Sequence, residues 1–336
     1  MERWREALNG DPLPWLLEPD TPAVRHLALR DLLDEPEDSA PMRRARAAAM
    51  RGEPIARILD HQAPAGWWER PGAGYGPKYR STVWSLMFLE QMGADGRDRR
   101  IARACEYVLA HTQTSNGGLG ISGSTSERPP PPSAVVHCLN GNLLRALLRF
   151  GRLGDPRVRL AVEWQARSIT GEGFDGFYRS GTSGPGFACA INDGLPCGWG
   201  AIKGLRALAA IPRRRRTAQV RRAVDVGLEF LLSRDPAIAD YPTGTTVSPN
   251  WFKLGFPSGY VADVLQNLEV LAELGSGRDP RLSNALELVL GKQDDRGRWW
   301  NEYGYRGKMW VDVDPPRRPS KWVTLRACRV LKAVLG

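Results

Sequence analysis

The sequence predicts an all-α protein in which six helical hairpins close into a ring, an (α/α)6 toroid of six inner and about six outer helices. Two observations support this fold class. Strongly apolar helix patterns recur at intervals of roughly 60 residues, and a Gln-x3-Gly-aromatic element recurs between helices. Strand patterns are nearly absent. Because one hairpin cannot bury its own apolar face, stacked hairpins that form a closed ring are expected.

The inner helices are the more apolar class, and their hydrophobic residues cover most of the helix circumference, which indicates burial on nearly all sides. The first follows Thr21, a predicted N-cap with proline at the next position. The predicted starts are Pro22, Ser81, Cys138, Cys197, Tyr260 and Ser320. The segments 98–110 and 281–290 carry narrower apolar stripes and are predicted to belong to the outer layer.

The Gln-x3-Gly-aromatic element provides the turn between an outer and an inner helix. Its glutamine is expected to hydrogen-bond the neighbouring turn, and its glycine lets the chain reverse. Clear copies begin at Gln62 and Gln293, a weaker copy at Gln113 and a degenerate one at Gln165.

The whole chain, 1–336, is predicted to form one domain with an N-terminal extension at 1–20. Two connections, 114–135 and 168–196, are too long for simple turns and are expected to fold over the mouth of a central cavity.

The formal net charge of +10, with a run from Arg213 to Arg216, favours anionic partners such as a diphosphate or an acidic membrane surface contacted peripherally. No zinc finger or recognition-helix pattern accompanies the charge, so nucleic acid is not expected as a partner. The sequence contains neither a signal peptide nor an apolar run of about 18 residues. A cytoplasmic location is therefore expected.

The elements at Gln62 and Gln293 match the QW motif, and over residues 20–336 the chain resembles the α/α-toroid family of squalene-hopene cyclases and protein prenyltransferases. The resemblance implies an isoprenoid or other hydrophobic substrate in a central cavity and proton-initiated chemistry. Class II terpene cyclases protonate their substrate with the middle Asp of an Asp-x-Asp-Asp motif. Asp312-Val313-Asp314 resembles that motif, although Pro315 stands where the last Asp belongs, and the resemblance implies an acid role for Asp314 with Asp312. Asp263, in the first turn of a predicted inner helix, is a second candidate acid.

The predicted inner-helix starts also suggest a binding site, because converging helix N-termini favour an anionic group and aromatic faces stabilise cationic character. The candidate substrate-binding residues are Trp84, Trp251, Tyr260, Trp322, Lys78 and Asn142.

A different enzyme class remains open, since members of the resembled superfamily bind zinc from inner helices. His137, Cys138 and Cys197 open two successive predicted inner helices, which makes them candidate ligands for zinc or reactive thiols. Buried cysteines that act as small hydrophobic residues are the other interpretation. A third class is a non-catalytic toroid that binds a lipid or a protein.

Overall fold

A computed structural model describes residues 3–120, 128–173, 184–243 and 246–336. These residues form α-helices and short 3-10 turns, with isolated bridges and no strand. The helices are α1 (Arg3–Glu6), α2 (Leu13–Leu16), α3 (Pro22–Asp31), α4 (Ala40–Arg51), α5 (Ile55–Asp60), α6 (Thr82–Gln91), α7 (Arg99–Thr112), α8 (His137–Arg149), α9 (Pro156–Thr170), α10 (Gly198–Ala209), α11 (Ala218–Leu232), α12 (Val264–Leu274), α13 (Ser283–Leu290) and α14 (Lys321–Leu335). No helix among them is long and apolar enough to cross a bilayer.

The inner ring consists of α3, α6, α8, α10, α12 and α14, and the predicted all-α toroid is confirmed. From α6 onward each inner helix packs against the next, and α14 packs against α3. The burial expected from the sequence is clear in α6, in which every residue from Thr82 to Leu89 is buried. One predicted start was misplaced, because α12 begins at Val264 and not at Tyr260. Asp263 is its N-cap, accepting a hydrogen bond from the backbone N–H of Gln266 at 2.6 Å.

The outer layer contains α4, α5, α7, α9, α11 and α13, each packed against at least one inner helix. These helices are amphipathic; α7, for example, buries Ile101, Cys105 and Val108 and leaves Arg99 and Arg103 exposed. The short helices α1 and α2 pack on α14, and α2 also contacts α3. Because α4 and α5 both lie between α3 and α6, they count as one outer element, and the N-terminal segment occupies the place of the sixth.

The glutamine of each Gln-x3-Gly element joins one outer helix to the first turn of the next. Gln62 Nε2 donates to the carbonyl of Arg100 at 2.9 Å, at the start of α7. Gln113 Nε2 donates to the carbonyl of Arg157 at 2.7 Å, at the start of α9. The element is therefore a clasp between consecutive hairpins.

The third copy closes the ring. Gln293 Nε2 donates to the carbonyl of Ala7 at 3.1 Å, and Gln293 Oε1 accepts from the backbone N–H of Asn9 at 2.8 Å. Nearby, the Trp4 side chain is only 1% exposed. The same clasp thus joins the last hairpin to the N-terminal segment.

A second contact recurs six residues after each glutamine, where the chain enters the inner layer. The backbone N–H of Trp68 donates to Thr82 Oγ1 at 3.0 Å, and that of Trp299 donates to Thr324 Oγ1 at 2.9 Å. The backbone N–H of Leu119 donates to Asn140 Oδ1 at 2.8 Å in the same way. Trp68, and not Trp67, is therefore the structural counterpart of Trp299.

Gln165 is not a copy of this element, contrary to the prediction. It lies inside α9 and is fully buried, and its Oε1 accepts from Asn140 Nδ2 at 2.9 Å. The sequence resemblance failed here because the glycines that follow Gln165 come only after the helix has continued to Thr170.

Candidate functional site

The two ends of the ring are built differently. Five of the six inner helices are preceded by long connections, at 61–81, 113–136, 171–197, 233–263 and 291–320, whereas short connections follow α3, α6, α8, α10 and α12. Residues 121–127 and 174–183 of the two predicted cavity-covering loops lie outside the described residues. The N-terminal ends of the inner helices therefore face the long loops, and their C-terminal ends face the short ones.

Aromatic side chains fill the N-terminal end of the ring. The ring of Trp84 lies 4.9 Å from that of Tyr79 and 5.1 Å from that of Tyr260, and Tyr79 stacks on Tyr305 at 4.3 Å. Trp84 is only 1% exposed, and its Nε1 donates to the carbonyl of Tyr75 at 2.9 Å. Trp84 and Tyr260 thus contact other aromatic residues, where the sequence led us to expect a cavity wall.

The other predicted binding residues are dispersed. Trp251 is buried, with Nε1 bonded to the carbonyl of Pro236 at 2.8 Å, and Trp322 stacks on Phe256 at 4.3 Å. The Lys78 side chain is exposed, with Nζ 5.7 Å from the Tyr75 ring centroid. A further predicted residue, Asn142, donates from Nδ2 to the Gly259 carbonyl at 3.3 Å.

A cavity of about 270 Å³ lies beneath the loop that precedes α14, and we call it the loop cavity. Its wall combines aromatic, aliphatic and charged side chains. The lining residues are Phe256, Pro257, Tyr305, Arg306, Met309, Val311, Asp312, Val313, Asp314, Pro315, Pro316 and Arg318. Both acids of the predicted Asp-x-Asp motif belong to this wall.

Of the two carboxyl groups in this cavity, Asp314 is the one whose neighbours hold it in place and favour its protonated form. Ser320, the N-cap of α14, donates from Oγ to Asp314 Oδ2, and buried Asn301 donates from Nδ2 to the Asp314 carbonyl at 2.7 Å. No Lys, Arg or His nitrogen of the described segments lies within 4.0 Å of the Asp314 carboxyl. Burial raises the pKa of Asp314 to about 7, and the Ser320 hydrogen bond only partly opposes this shift.

Asp312 and Asp263 have different surroundings. Asp312 is exposed, and its Oδ1 accepts from the backbone N–H of Gly307 at 2.6 Å. Asp263 is buried and paired through both oxygens with the Arg326 guanidinium, at 2.9 and 3.0 Å. Asp263 therefore caps α12 and holds α14, and its geometry does not suit a proton donor to substrate.

The predicted zinc residues do not fit a zinc site. In the described segments no group of three or more His, Cys, Asp or Glu side chains is arranged to hold a metal ion. The buried His137 ring contacts the Gly184 carbonyl through Nε2 at 2.9 Å and Gln165 Nε2 through Nδ1 at 3.2 Å, so both ring nitrogens have protein partners. A zinc ligand needs one of these nitrogens for the metal.

The thiols near His137 also differ from each other. Burial raises the pKa of Cys138 to about 12, which disfavours its thiolate. A hydrogen bond with Cys197 lowers the pKa of Cys189 to about 6, and the same bond raises that of Cys197. Cys138 is therefore an unreactive thiol, and the thiol with a lowered pKa belongs to the hydrogen-bonded pair Cys189 and Cys197.

A second and larger cavity, of about 460 Å³, opens at the C-terminal ends of the inner helices, and we call it the ring cavity. All six inner helices contribute to its wall. The sequence had led us to expect a cavity at the N-terminal ends of these helices and not at their C-terminal ends. The charged lining residues are Arg30, Asp31, Asp34, Glu90, Arg145, Arg149, Arg206, Glu269, Glu273, Arg326 and Arg329. Phe256 lines both cavities and lies between them.

Most of these charges form ion pairs between helices. Arg145 contacts Glu90 at 3.3 Å and Glu273 at 2.9 Å, and Arg326 contacts Glu269 at 2.9 Å. Burial alone would raise the pKa of Glu269, but the charges of Arg326 and Arg206 together lower it to about 2. The inner ring is therefore held together at this end by buried, hydrogen-bonded ion pairs.

Comparisons with known proteins identify related folds only. No protein-family model matches the chain, and no curated protein matches it. Among solved structures, a glycosyl hydrolase of family 88 from Bacteroides vulgatus is 8% identical, with 94% of this chain and 90% of that chain covered and a TM-score of 0.50. The type II terpene cyclase MstE from Scytonema is 15% identical, with 94% and 87% covered and a TM-score of 0.42. An unsaturated glucuronyl hydrolase from a Bacillus species is 15% identical, with 94% and 85% covered and a TM-score of 0.47.

At these identities the similarity concerns the fold. The match to the family 88 hydrolase covers nearly the whole of both chains and agrees with the ring of inner and outer helices described above. This protein is thus an α/α toroid, and its chemistry has to be argued from its own residues.

Proposed function

We propose that this protein catalyses a proton-initiated, terpene cyclase-like reaction on a short isoprenoid or similar hydrophobic alkene, with Asp314 as the acid. The observation that carries the proposal is the position of Asp314 in the loop cavity. Its carboxyl group is hydrogen-bonded by Ser320, has no cationic partner in the described segments and shares a wall with Phe256, Tyr305 and Met309.

These surroundings suit the chemistry. A carboxyl group that keeps its proton near neutral pH can transfer it to an alkene, and the carbocation that results is stabilised by nearby aromatic faces. The resembled motif has a further Asp where this chain has Pro315. In this chain Asp314 is kept protonated by burial, with no cationic partner among the residues that the structure describes.

The size of the cavity restricts the substrate. At about 270 Å³ the loop cavity is slightly smaller than the roughly 300–1,000 Å³ of common ligand sites. A short isoprenoid alcohol is therefore a better candidate than a triterpene, and no diphosphate site is part of the proposal.

The test is incubation of the full chain with geraniol, farnesol and geranylgeraniol, followed by identification of cyclic products by gas chromatography and mass spectrometry. Asp314→Asn should reduce turnover by at least about a hundredfold, the usual size of a general-acid contribution. Asp295→Asn, at an exposed position, is the matched control and should retain activity. Equal turnover of Asp314→Asn and the unsubstituted protein would rule out Asp314 as the acid.

Binding without turnover would instead favour the non-catalytic class of toroid. Equilibrium dialysis of the same three alcohols, with Asp314→Asn in parallel, separates this outcome from a simple absence of affinity. A zinc-dependent transferase is not proposed, because His137 uses both ring nitrogens within the protein.

A further inference from the structure

Among the described residues, the ring cavity contains one arginine that forms no ion pair. Arg206, in the last turn of α10, is 9% exposed and lines the cavity. No carboxylate oxygen in the described ranges lies within 4.0 Å of its guanidinium, and its buried Nε has no hydrogen-bond partner there. An isolated buried charge is unfavourable, so this position favours an anionic ligand.

The neighbouring carboxylates are already engaged. Glu90 and Glu273 contact Arg145, and Glu269 forms a bidentate pair with Arg326 at 2.9 and 3.0 Å. These carboxylates therefore attract the Arg206 guanidinium from a distance but do not form ion pairs with it. Each of the other five lining arginines has a carboxylate oxygen within 4.0 Å, and Arg326 contacts Asp263 as well as Glu269. Among the described residues, Arg206 is therefore the lining arginine without such a contact.

The floor of the cavity is polar and not hydrophobic. Gln91 and Ser258 hold each other through two backbone-to-amide hydrogen bonds of 2.8 Å, and Gln266 Nε2 donates to Ser258 Oγ at 2.7 Å. Lys203, beneath them, donates to Gln266 and Ser258. A hydrocarbon would leave these groups less well solvated than a polar ligand would, so the cavity suits a polar molecule.

From these observations we infer that the ring cavity binds a small polar molecule with a single oxyanion group, a carboxylate or a phosphate, held by the Arg206 guanidinium. The planar fork of arginine matches both groups through two parallel hydrogen bonds. The cavity volume of about 460 Å³ leaves room for a body larger than the anion itself. The site is separate from Asp314 and does not depend on the proposed reaction.

The inference is tested by isothermal titration calorimetry of the full chain with glycerate for the carboxylate, glycerol phosphate for the phosphate and glycerol as the uncharged counterpart. At least one of the two anions should bind, and glycerol should not. Arg206→Gln should weaken that binding by at least about tenfold, a loss of about 1.4 kcal/mol. Arg103→Gln, the same charge change on the exposed face of α7, should bind as the unsubstituted protein does.

Three further variants test the inference independently. Glu273→Gln removes a negative charge from the cavity wall and should strengthen anion binding, the opposite of the Arg206 effect. Arg206→Lys keeps the charge without the fork and serves if Arg206→Gln fails to fold by circular dichroism; it should bind more weakly than the unsubstituted protein. Asp314→Asn should leave anion binding unchanged, which distinguishes this site from the proposed reaction. The inference is overturned if neither anion binds at 10 mM, roughly the weak limit for a specific small-ligand site, or if Arg206→Gln binds as tightly as the unsubstituted protein.

Discussion

At the scale of single residues, the surroundings of a charged group decide its role more than its type does. Asp263 and Asp314 both lie just before inner helices, yet Asp263 is paired with Arg326 whereas Asp314 is bonded to a serine hydroxyl. The carboxylate form is favoured by an opposite charge and disfavoured by burial without one. Asp263 is therefore a link between α12 and α14, whereas burial suits Asp314 to carry a proton near neutral pH.

This difference predicts how stability changes with pH. The pKa of Asp314 rises from 3.8 to about 7 in the folded protein because of burial. The folded state therefore binds more protons than the unfolded state between these values, and the contribution of Asp314 to stability is lost as the pH rises through 7. Asn does not titrate, so Asp314→Asn should become more stable relative to the unsubstituted protein as pH rises, by on the order of 2 kcal/mol above pH 7.

The measurement is urea unfolding of both proteins from pH 4 to pH 8.5. Asp295→Asn, at its exposed position, should show no such trend. A difference between Asp314→Asn and the unsubstituted protein that stays constant over this range would contradict the raised pKa.

A single glycine fixes the approach of two inner helices. A Cβ atom at Gly141 of α8 would lie 2.5 Å from the carbonyl carbon and oxygen of Lys203 in α10. Backbone cannot move aside as a flexible side chain can, so the loss from overpacking should exceed the roughly 1 kcal/mol that alanine contributes to a helix. We expect Gly141→Ala to lower the free energy of unfolding by about 2–3 kcal/mol in chemical denaturation.

Gly154 supplies the matched control, because a Cβ atom there has no heavy atom within 4 Å. Gly154→Ala should be neutral or slightly stabilising. If the two variants have the same stability, α8 and α10 are not as close as described.

At the scale of elements, the recurring glutamine clasp should make similar contributions in different hairpins. Gln62→Leu and Gln113→Leu each remove one amide hydrogen bond to the next outer helix, of 2.9 and 2.7 Å. Each should lower the free energy of unfolding by about 1 kcal/mol. Because the two clasps have separate partners, the double variant should equal the sum of the single ones within about 0.5 kcal/mol.

Thermal and urea unfolding of the three variants measure these effects, with Gln219→Leu, on α11 and outside the repeat, as the control. Losses below about 0.3 kcal/mol for both single variants would mean that solvent replaces the clasp without penalty. A large departure from additivity would mean that the hairpins are coupled through the ring.

The sequence predicted the repeating elements well, for a physical reason. Inner helices that are buried on every side need apolar residues throughout, and five of the six starts lie within one residue of their predicted positions. The sixth start was predicted at Tyr260 because the apolar pattern continues upstream of the Asp263 cap. The prediction for Gln165 was wrong because α9 continues past this residue to Thr170. The glycines that follow it therefore do not form the turn of the repeated element.

The candidate site was only partly predictable. The Asp-x-Asp spacing identified Asp312 and Asp314 as candidate acids. That no cationic partner lies beside Asp314 in the described part of the chain depends on the folded structure, which the spacing does not reveal. The ring cavity was missed because an arginine near a helix C-terminus is normally explained by the helix dipole. The available signal was the position of Arg145, Arg206 and Arg326 within helices that are otherwise apolar on nearly all sides.

At the scale of the whole molecule, the ring closes through its N-terminal segment. That segment brings Trp4, 1% exposed, against the body of the protein, and it provides the partners of Gln293 at Ala7 and Asn9. Backbone contact is also close there, since a Cβ atom at Gly297 would lie 2.1 Å from the Gly10 carbonyl oxygen. In a closed ring the last hairpin needs a neighbour on both sides, and here this segment is one of them.

Trp4→Ala should therefore destabilise the whole ring and not merely loosen one end. Truncation of a buried tryptophan lowers the free energy of unfolding by about 3–5 kcal/mol. Trp300→Ala, at a side chain that is 46% exposed, removes the same atoms and should lower it much less. Hydrogen exchange distinguishes destabilisation of the whole ring from loosening of its N-terminal end. If Trp4 closes the ring, amides of α14 and α13 should lose protection together with those of α1 in Trp4→Ala. If only α1 and α2 exchanged faster and the midpoint of unfolding were unchanged, the N-terminal segment would be an appendage, and the toroid would be stable with an open seam between α14 and α3.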